Sequence, residues 1–230
     1  MMFHGYLPMI LDGLQVTLSV ALVSLAVACV FGMMGASAKL SSSPVLRGIG
    51  WGYTTVIRAL PDLLLMLIIF YGGQIMLNRL TQAQGWGYID INAFVAGTIT
   101  LGFVFGAYLT ETFRGAILAI PRGQIEAGHA MGLTRGQVMR DITIPQMIRH
   151  AIPGFTNNWL VMLKATALVS IIGLDDMVHR ASLASAATRE PFTFYALIGL
   201  IYLAVTTVSI IALGALNRRV SRGIKAEAVR

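Results

Sequence analysis

Three ionisable residues, Asp62, Glu111 and Lys164, sit in or at the edges of long apolar stretches. A charge in that setting is costly to hold away from water, so each is a candidate for chemistry rather than decoration. A carboxylate could accompany a cationic ligand, and an ammonium could hold an anionic one. Ordinary structural readings stand beside these. Arg58 lies four residues before Asp62 and could pair with it, although Pro61 between them would distort the helix that brings them together. Glu111 lies three residues before Arg114, a spacing that favours an intrahelical pair, and Lys164 could snorkel or pair with an acid on another helix. The polar and aromatic residues Tyr71, Tyr108, Asn157, Asn158 and Thr166 are further candidates to line a path beside them.

A second group has the chemistry of a docking element. Pro121 suits a first helical turn, Gly132 suits a left-handed helix end, and Thr134-Arg135-Gly136-Gln137 has the form of a capping box. Pro145 is expected to end the second of these two short helices. Ile125, Ala130 and Met131 are available for a groove on a partner protein.

The elements that must carry these residues are membrane spans. Of 230 residues, 56% are hydrophobic and 12% charged, and the mean hydropathy is +0.74; a soluble domain is not built this way. Stretches free of Asp, Glu, Lys and Arg run between Asp12 and Lys39, from Ile91 to Thr110 and from Pro191 to Asn217. Each is long enough for the roughly 30 Å hydrocarbon core. Two less clean stretches complete a set of five spans, at about 14–38, 52–77, 91–113, 154–174 and 192–216, within a unit covering 13–217. The fold class is therefore all-α integral membrane protein. Gly102 and Gly106, and Gly32 with Ala36, have the small-residue spacing that lets helices approach closely. Ala36-Ser37-Ala38 resembles a signal-peptide cleavage site, but no Lys or Arg precedes the first apolar run and the run is too long, so it is expected to remain as a span.

Basic residues set the orientation. With the N-terminus outside, the inner side holds thirteen: Lys39, Arg47, Arg58, Arg114, Arg122, Arg135, Arg140, Arg149, Arg218, Arg219, Arg222, Lys225 and Arg230. The outer side holds Arg79, Arg180 and Arg189. This places a loop at 118–150 and a basic tail at 218–230 in the cytoplasm. The net charge of +7 is thereby topogenic, and nucleic acid is not an expected partner. Nucleotide-binding, serine-hydrolase and zinc-protease motifs are absent, the four histidines lack metal-ligand spacing, and Cys29 reads as a packing residue. No catalytic residue, metal site or cofactor is expected.

The loop also carries a resemblance. Glu126, Ala127, Gly132, Ile142 and Pro145 match five of the seven named positions of the EAA loop of ABC importer permeases; Gly128 stands for the third position, Ala, and Ile144 for Leu. The run Arg58-Ala59-Leu60-Pro61-Asp62 is similar to the R-G-x-P signature of the polar-amino-acid permeases, with Ala59 in place of Gly. Taken with the sequences around Glu111 and Lys164, its Pro-Asp variant most resembles the Q-type subunits of importers for histidine and for lysine, arginine and ornithine; opine permeases are similar alternatives. This resemblance implies a type I importer permease fold in a bacterial inner membrane, with a coupling helix in the loop. It further implies two copies of an ATPase, a homologous second permease and a periplasmic amino-acid-binding protein as partners. A stand-alone transporter or channel would account for the buried charges, and a membrane scaffold for the loop, but neither accounts for both.

Overall fold

The computed structural model describes residues 5–220, and among them every regular element is helical. His4 and the basic residues Arg222, Lys225 and Arg230 lie outside the described residues. Helix α1 (Leu7–Leu40) carries a proline in its first turn and stops at Ser41, whose backbone is extended. Helix α2 (Pro44–Ala59) also starts on a proline and ends where Pro61 forces Leu60 into an extended conformation, with φ −100° and ψ 147°. The chain re-enters a helix at once. Helix α3 (Asp62–Leu67), a π turn at Ile68–Gly72 and helix α4 (Gly73–Ala83) form one continuous segment.

That break corrects the expected second span. Instead of crossing from about 52 to 77 on a distorted helix, the chain changes helix at Leu60–Pro61, and the apolar segment runs Asp62–Ala83. Proline supplies no amide hydrogen and disfavours α backbone in the residue before it, so two helices form where the hydropathy pattern suggested one.

Helix α5 (Ala93–Leu118) is started by Asn92, whose side chain accepts hydrogen bonds from the amides of Phe94 and Val95 at 2.9 and 3.2 Å. Helix α6 (Arg122–Ala130) and helix α7 (Arg135–Val138) follow, then a π turn at Met139–Thr143, helix α8 (Ile144–Ala165) and a 3-10 turn at Thr166–Ile172. Pro145 thus does not end a helix. It lies in the first turn of α8, directly after the π turn, where a widened helix absorbs the missing amide and leaves room for the ring. The segment Arg135–Ile172 is continuous. Helices α9 (Met177–Thr188) and α10 (Pro191–Val220) complete the chain.

Five segments, Leu7–Leu40, Asp62–Ala83, Ala93–Leu118, Arg135–Ile172 and Pro191–Val220, are long and apolar enough to cross a membrane. Helix α5 forms the centre, with Leu101, Val104, Phe105 and Leu109 buried against Val20 and Ala28 of α1 and Met162 and Leu163 of α8. The small-residue pairs do what their spacing suggests. A Cβ on Gly106 would lie 2.5 Å from Phe31 Cβ, and one on Gly32 would lie 2.7 Å from Leu109 Cβ. A second cluster, Ile10, Met177, Ala181, Phe194 and Ile198, ties α9 to the beginnings of α1 and α10. Most of α10 is unburied, as is most of Asp62–Ala83, leaving wide apolar faces for lipid or protein.

Candidate functional site

The break between α2 and α3 gathers a polar site on the flank of α5. Lys39, in the last turn of α1, is buried; its Nζ donates to Thr54 Oγ1 at 2.7 Å and to Glu111 Oε1, and sits 3.7 Å from the centre of the Trp51 ring. Arg114 completes the group, with Nη1 3.6 Å from Glu111 Oε2 and its guanidinium 5.3 Å from the Trp51 ring. The expected Glu111–Arg114 pair is therefore present, but its principal partner is Lys39, 72 positions away. Lys39 had the sequence signature of a topogenic surface charge. Only the packing of the long N-terminal helix along α5 brings it to Glu111, and nothing local in the sequence announces that.

Arg58 and Asp62 do not pair in the structure, contrary to the structural reading of their four-residue spacing. They fall on different helices, and the i,i+4 geometry that would join them is lost at Pro61. Arg58, in the last turn of α2, lies over Tyr108 with its guanidinium 5.3 Å from the ring centre. Asp62, in the first turn of α3, is half-buried and has no cationic side-chain partner among the described residues. Both charges lie within electrostatic reach of the Tyr108 hydroxyl. Beside them is a cavity of about 290 Å³ lined by Trp51, Thr54, Thr55, Arg58, Ala59 and Glu111.

The remaining sequence candidates lie apart from this group. Tyr71 is in the π turn, its ring 5.1 Å from that of Phe70. Lys164 is exposed near the end of α8 without an ion-pair partner among the described residues, and Asn157 is exposed on the same helix. Asn158 and Thr166 are occupied structurally: Asn158 donates to Thr112 Oγ1 at 2.9 Å, joining α8 to α5, and Thr166 donates to the carbonyl of Leu163 at 2.7 Å and meets the Tyr202 hydroxyl at 3.3 Å.

One buried acid lies in no motif. Asp176 caps α9, accepting from the amide of His179 at 2.9 Å, and is 0% exposed, with Oδ2 lacking a hydrogen-bond partner among the described residues. Burial pushes its carboxyl up to about 6, against the smaller downward pull of the His179 and Val178 amides. Its neighbour Asp175 is held below its ordinary value by Arg180, which donates to it at 2.8 Å and also to the carbonyl of Met9 at 2.8 Å.

The loop of α6 and α7 has the local geometry its residues suggest. Gly132 has φ +84°; its amide donates to the His129 carbonyl and that of Leu133 to the Gly128 carbonyl, at 3.0 and 3.1 Å. These are the two bonds of a Schellman end. The Thr134 amide donates to Gln137 Oε1 at 2.8 Å and the Gln137 amide to Thr134 Oγ1 at 3.4 Å, closing the capping box. Gly128 is buried against Ile142 and Val138, whereas Glu126, Ala127 and Ala130 are exposed and Met131 is 82% exposed. Two short helices thus turn a rigid corner and present one apolar side chain at its tip.

Residues 28–222 match the family described as binding-protein-dependent transport system inner membrane component. The chain belongs to that family. It is 54% identical over 224 residues to the histidine/lysine/arginine/ornithine transport system permease protein HisQ of Escherichia coli (strain K12), covering 97% of this chain and 98% of that one. It is 40% identical over 194 residues to the octopine transport system permease protein OccQ of Rhizobium radiobacter, covering 84% and 82%. Among solved structures, an amino acid ABC transporter crystallised with histidines superposes with a TM-score of 0.79 at 32% identity, covering 93% of this chain and 95% of that one. The inward-facing MetNI methionine transporter shares the fold alone, with a TM-score of 0.69 at 16% identity over 94% and 96%. The chain is accordingly a membrane permease component, not an enzyme.

Proposed function

We propose that this chain is the permease subunit of an ATP-driven importer for histidine, lysine, arginine and ornithine, and that Asp62 recognises the cationic group of the substrate. The observation that carries the reading is a carboxylate at a helix break, half-buried and without a cationic partner among the described residues. Family membership and the 54% identity to a permease of that specificity support the substrate class; the octopine relative is more distant. A cation leaving water needs both a counter-charge and freed backbone groups, and a proline-broken helix offers the two together.

The exposed face of the α6–α7 loop, Glu126, Ala127 and Met131, docks on an ATPase subunit in this reading, with Gly128, Gly132, Ile142 and Pro145 shaping it. Two ATPase copies act through two permeases, this chain and a homologous second one on the apolar faces of Asp62–Ala83 and α10, and a periplasmic binding protein delivers the amino acid. ATP binding moves the loop as a lever and the helical core rocks between outward and inward access. The N-terminus lies in the periplasm and the C-terminus in the cytoplasm.

Uptake into vesicles by the assembled transporter tests the reading. Asp62→Asn keeps size and some hydrogen bonding but removes the charge. It is expected to lower arginine and lysine uptake by about tenfold to a hundredfold, the worth of a charge-assisted contact, while the complex still assembles. Full uptake by a stable Asp62→Asn complex would remove Asp62 from recognition.

A further inference from the structure

We infer that Arg58 takes the α-carboxylate of the transported amino acid, with Tyr108 as the platform that orients it; this rests on the amino-acid importer reading above. Five observations converge on it. Arg58 is the one charged group lining the 290 Å³ cavity that has no charged partner among the described residues, since Glu111 is already held by Lys39 and Arg114. Counted with those two cations and with Arg58, the surroundings of Glu111 carry an excess of positive charge, which favours an anionic group there.

The manner of its support matters as much. The guanidinium lies over the Tyr108 ring, 5.3 Å from its centre, and makes no side-chain hydrogen bond or ion pair among the described residues, so the N–H donors along its edge are free. That edge is the fork that accepts a carboxylate through two parallel hydrogen bonds. Thr55, whose side chain carries a hydroxyl, lines the same cavity. Finally, the break at Pro61 keeps Arg58 from pairing with Asp62, so two opposite charges lie within electrostatic reach of Tyr108 without forming an ion pair. A basic amino acid carries the complementary pair, a carboxylate at one end and a cation at the other.

The test uses the complete permease and ATPase complex in lipid nanodiscs, without binding protein, and compares binding of radiolabelled arginine with that of radiolabelled agmatine, which is arginine lacking only the carboxylate. The unaltered complex is expected to prefer arginine by about tenfold to a hundredfold. In Arg58→Gln, arginine affinity should drop to that of agmatine while agmatine affinity stays as it was, and Arg58→Lys should retain part of the preference because the charge remains and the fork is lost. Asp62→Asn should weaken both ligands and leave their ratio unchanged. A merely structural Arg58 would not alter that ratio.

An assembled Arg58→Gln complex that keeps the full preference overturns the inference. If that variant does not co-purify with its partners, Arg58→Lys decides, and an unchanged ratio there overturns it equally. A preference near unity in the unaltered complex, with arginine bound, defeats the Arg58 assignment alone; failure to bind histidine, lysine, arginine or ornithine at all defeats the importer reading and this inference with it.

Discussion

Asp62 and Arg58 show how a single proline changes the meaning of a spacing. On one uninterrupted helix they would form a surface pair worth a few tenths of a kcal/mol; across the Leu60–Pro61 break they are two unpaired charges within electrostatic reach of Tyr108. Lys39 shows the reverse, a residue with no sequence mark of importance that is buried against Glu111, Thr54 and Trp51. Asp176 leads to a pH prediction. Because burial holds its carboxyl near 6, above its ordinary value, the folded state favours the neutral acid. That contribution is complete below about pH 4, is lost as pH rises through 6, and amounts to something on the order of 3 kcal/mol. The thermal midpoint of the purified protein should therefore fall between pH 5 and pH 7.5, and Asp176→Asn, which still caps α9, should flatten the curve. An equal fall in the variant would assign the dependence to another group.

Among the elements, the α6–α7 corner is the most exactingly built. Its Schellman end needs a left-handed residue, and a side chain at Gly132 would be strained at φ +84° by roughly 1–2 kcal/mol. Gly128 is different. A methyl there would meet the movable end of Ile142 at 2.6 Å and Val138 at 3.2 Å, contacts that small side-chain shifts can relieve. Gly132→Asp is thus expected to abolish substrate-stimulated ATP hydrolysis in the assembled transporter while leaving the protein inserted, whereas Gly128→Ala should keep most of it. Equal activity in the two variants would sever the corner's geometry from coupling. Glu126→Lys reverses an exposed charge on the same surface and belongs with Gly132→Asp in its expected loss.

For the whole molecule, the prediction concerns sidedness. Five segments cross an odd number of times, so the two termini lie on opposite sides if each segment spans once. The thirteen-to-three division of basic residues is the ground for expecting the C-terminus in the cytoplasm. A reporter fused after Arg230 should be active only in its cytoplasmic form, and one inserted near Gln84 only in its periplasmic form. Inversion of both reporters would reverse the whole bundle, whereas a periplasmic C-terminus with Gln84 still periplasmic would mean that one segment does not cross, the one carrying Lys164 being the first to question.

Membrane class, helical content, the small-residue contacts between α1 and α5 and the turn chemistry of the α6–α7 loop were all legible in the sequence. Each follows from local rules: apolar runs of spanning length, glycines at fixed offsets, and a Gly and a Thr-x-x-Gln that cap whatever helix they border. Proline was only half legible. Both Pro61 and Pro145 announce a disturbance, but whether the chain breaks or widens into a π turn depends on what the next helix packs against, so the first divided an expected span and the second began one. The candidate site belonged to the tertiary structure almost entirely. Lys39, Trp51, Arg58, Tyr108 and Glu111 come from three helices, and their meeting depends on glycine-mediated closeness of α1 and α5 and on the angle at which α2 leaves Ser43. A charge's partner is set by distance in space, and over 72 positions of chain the sequence holds no measure of that distance.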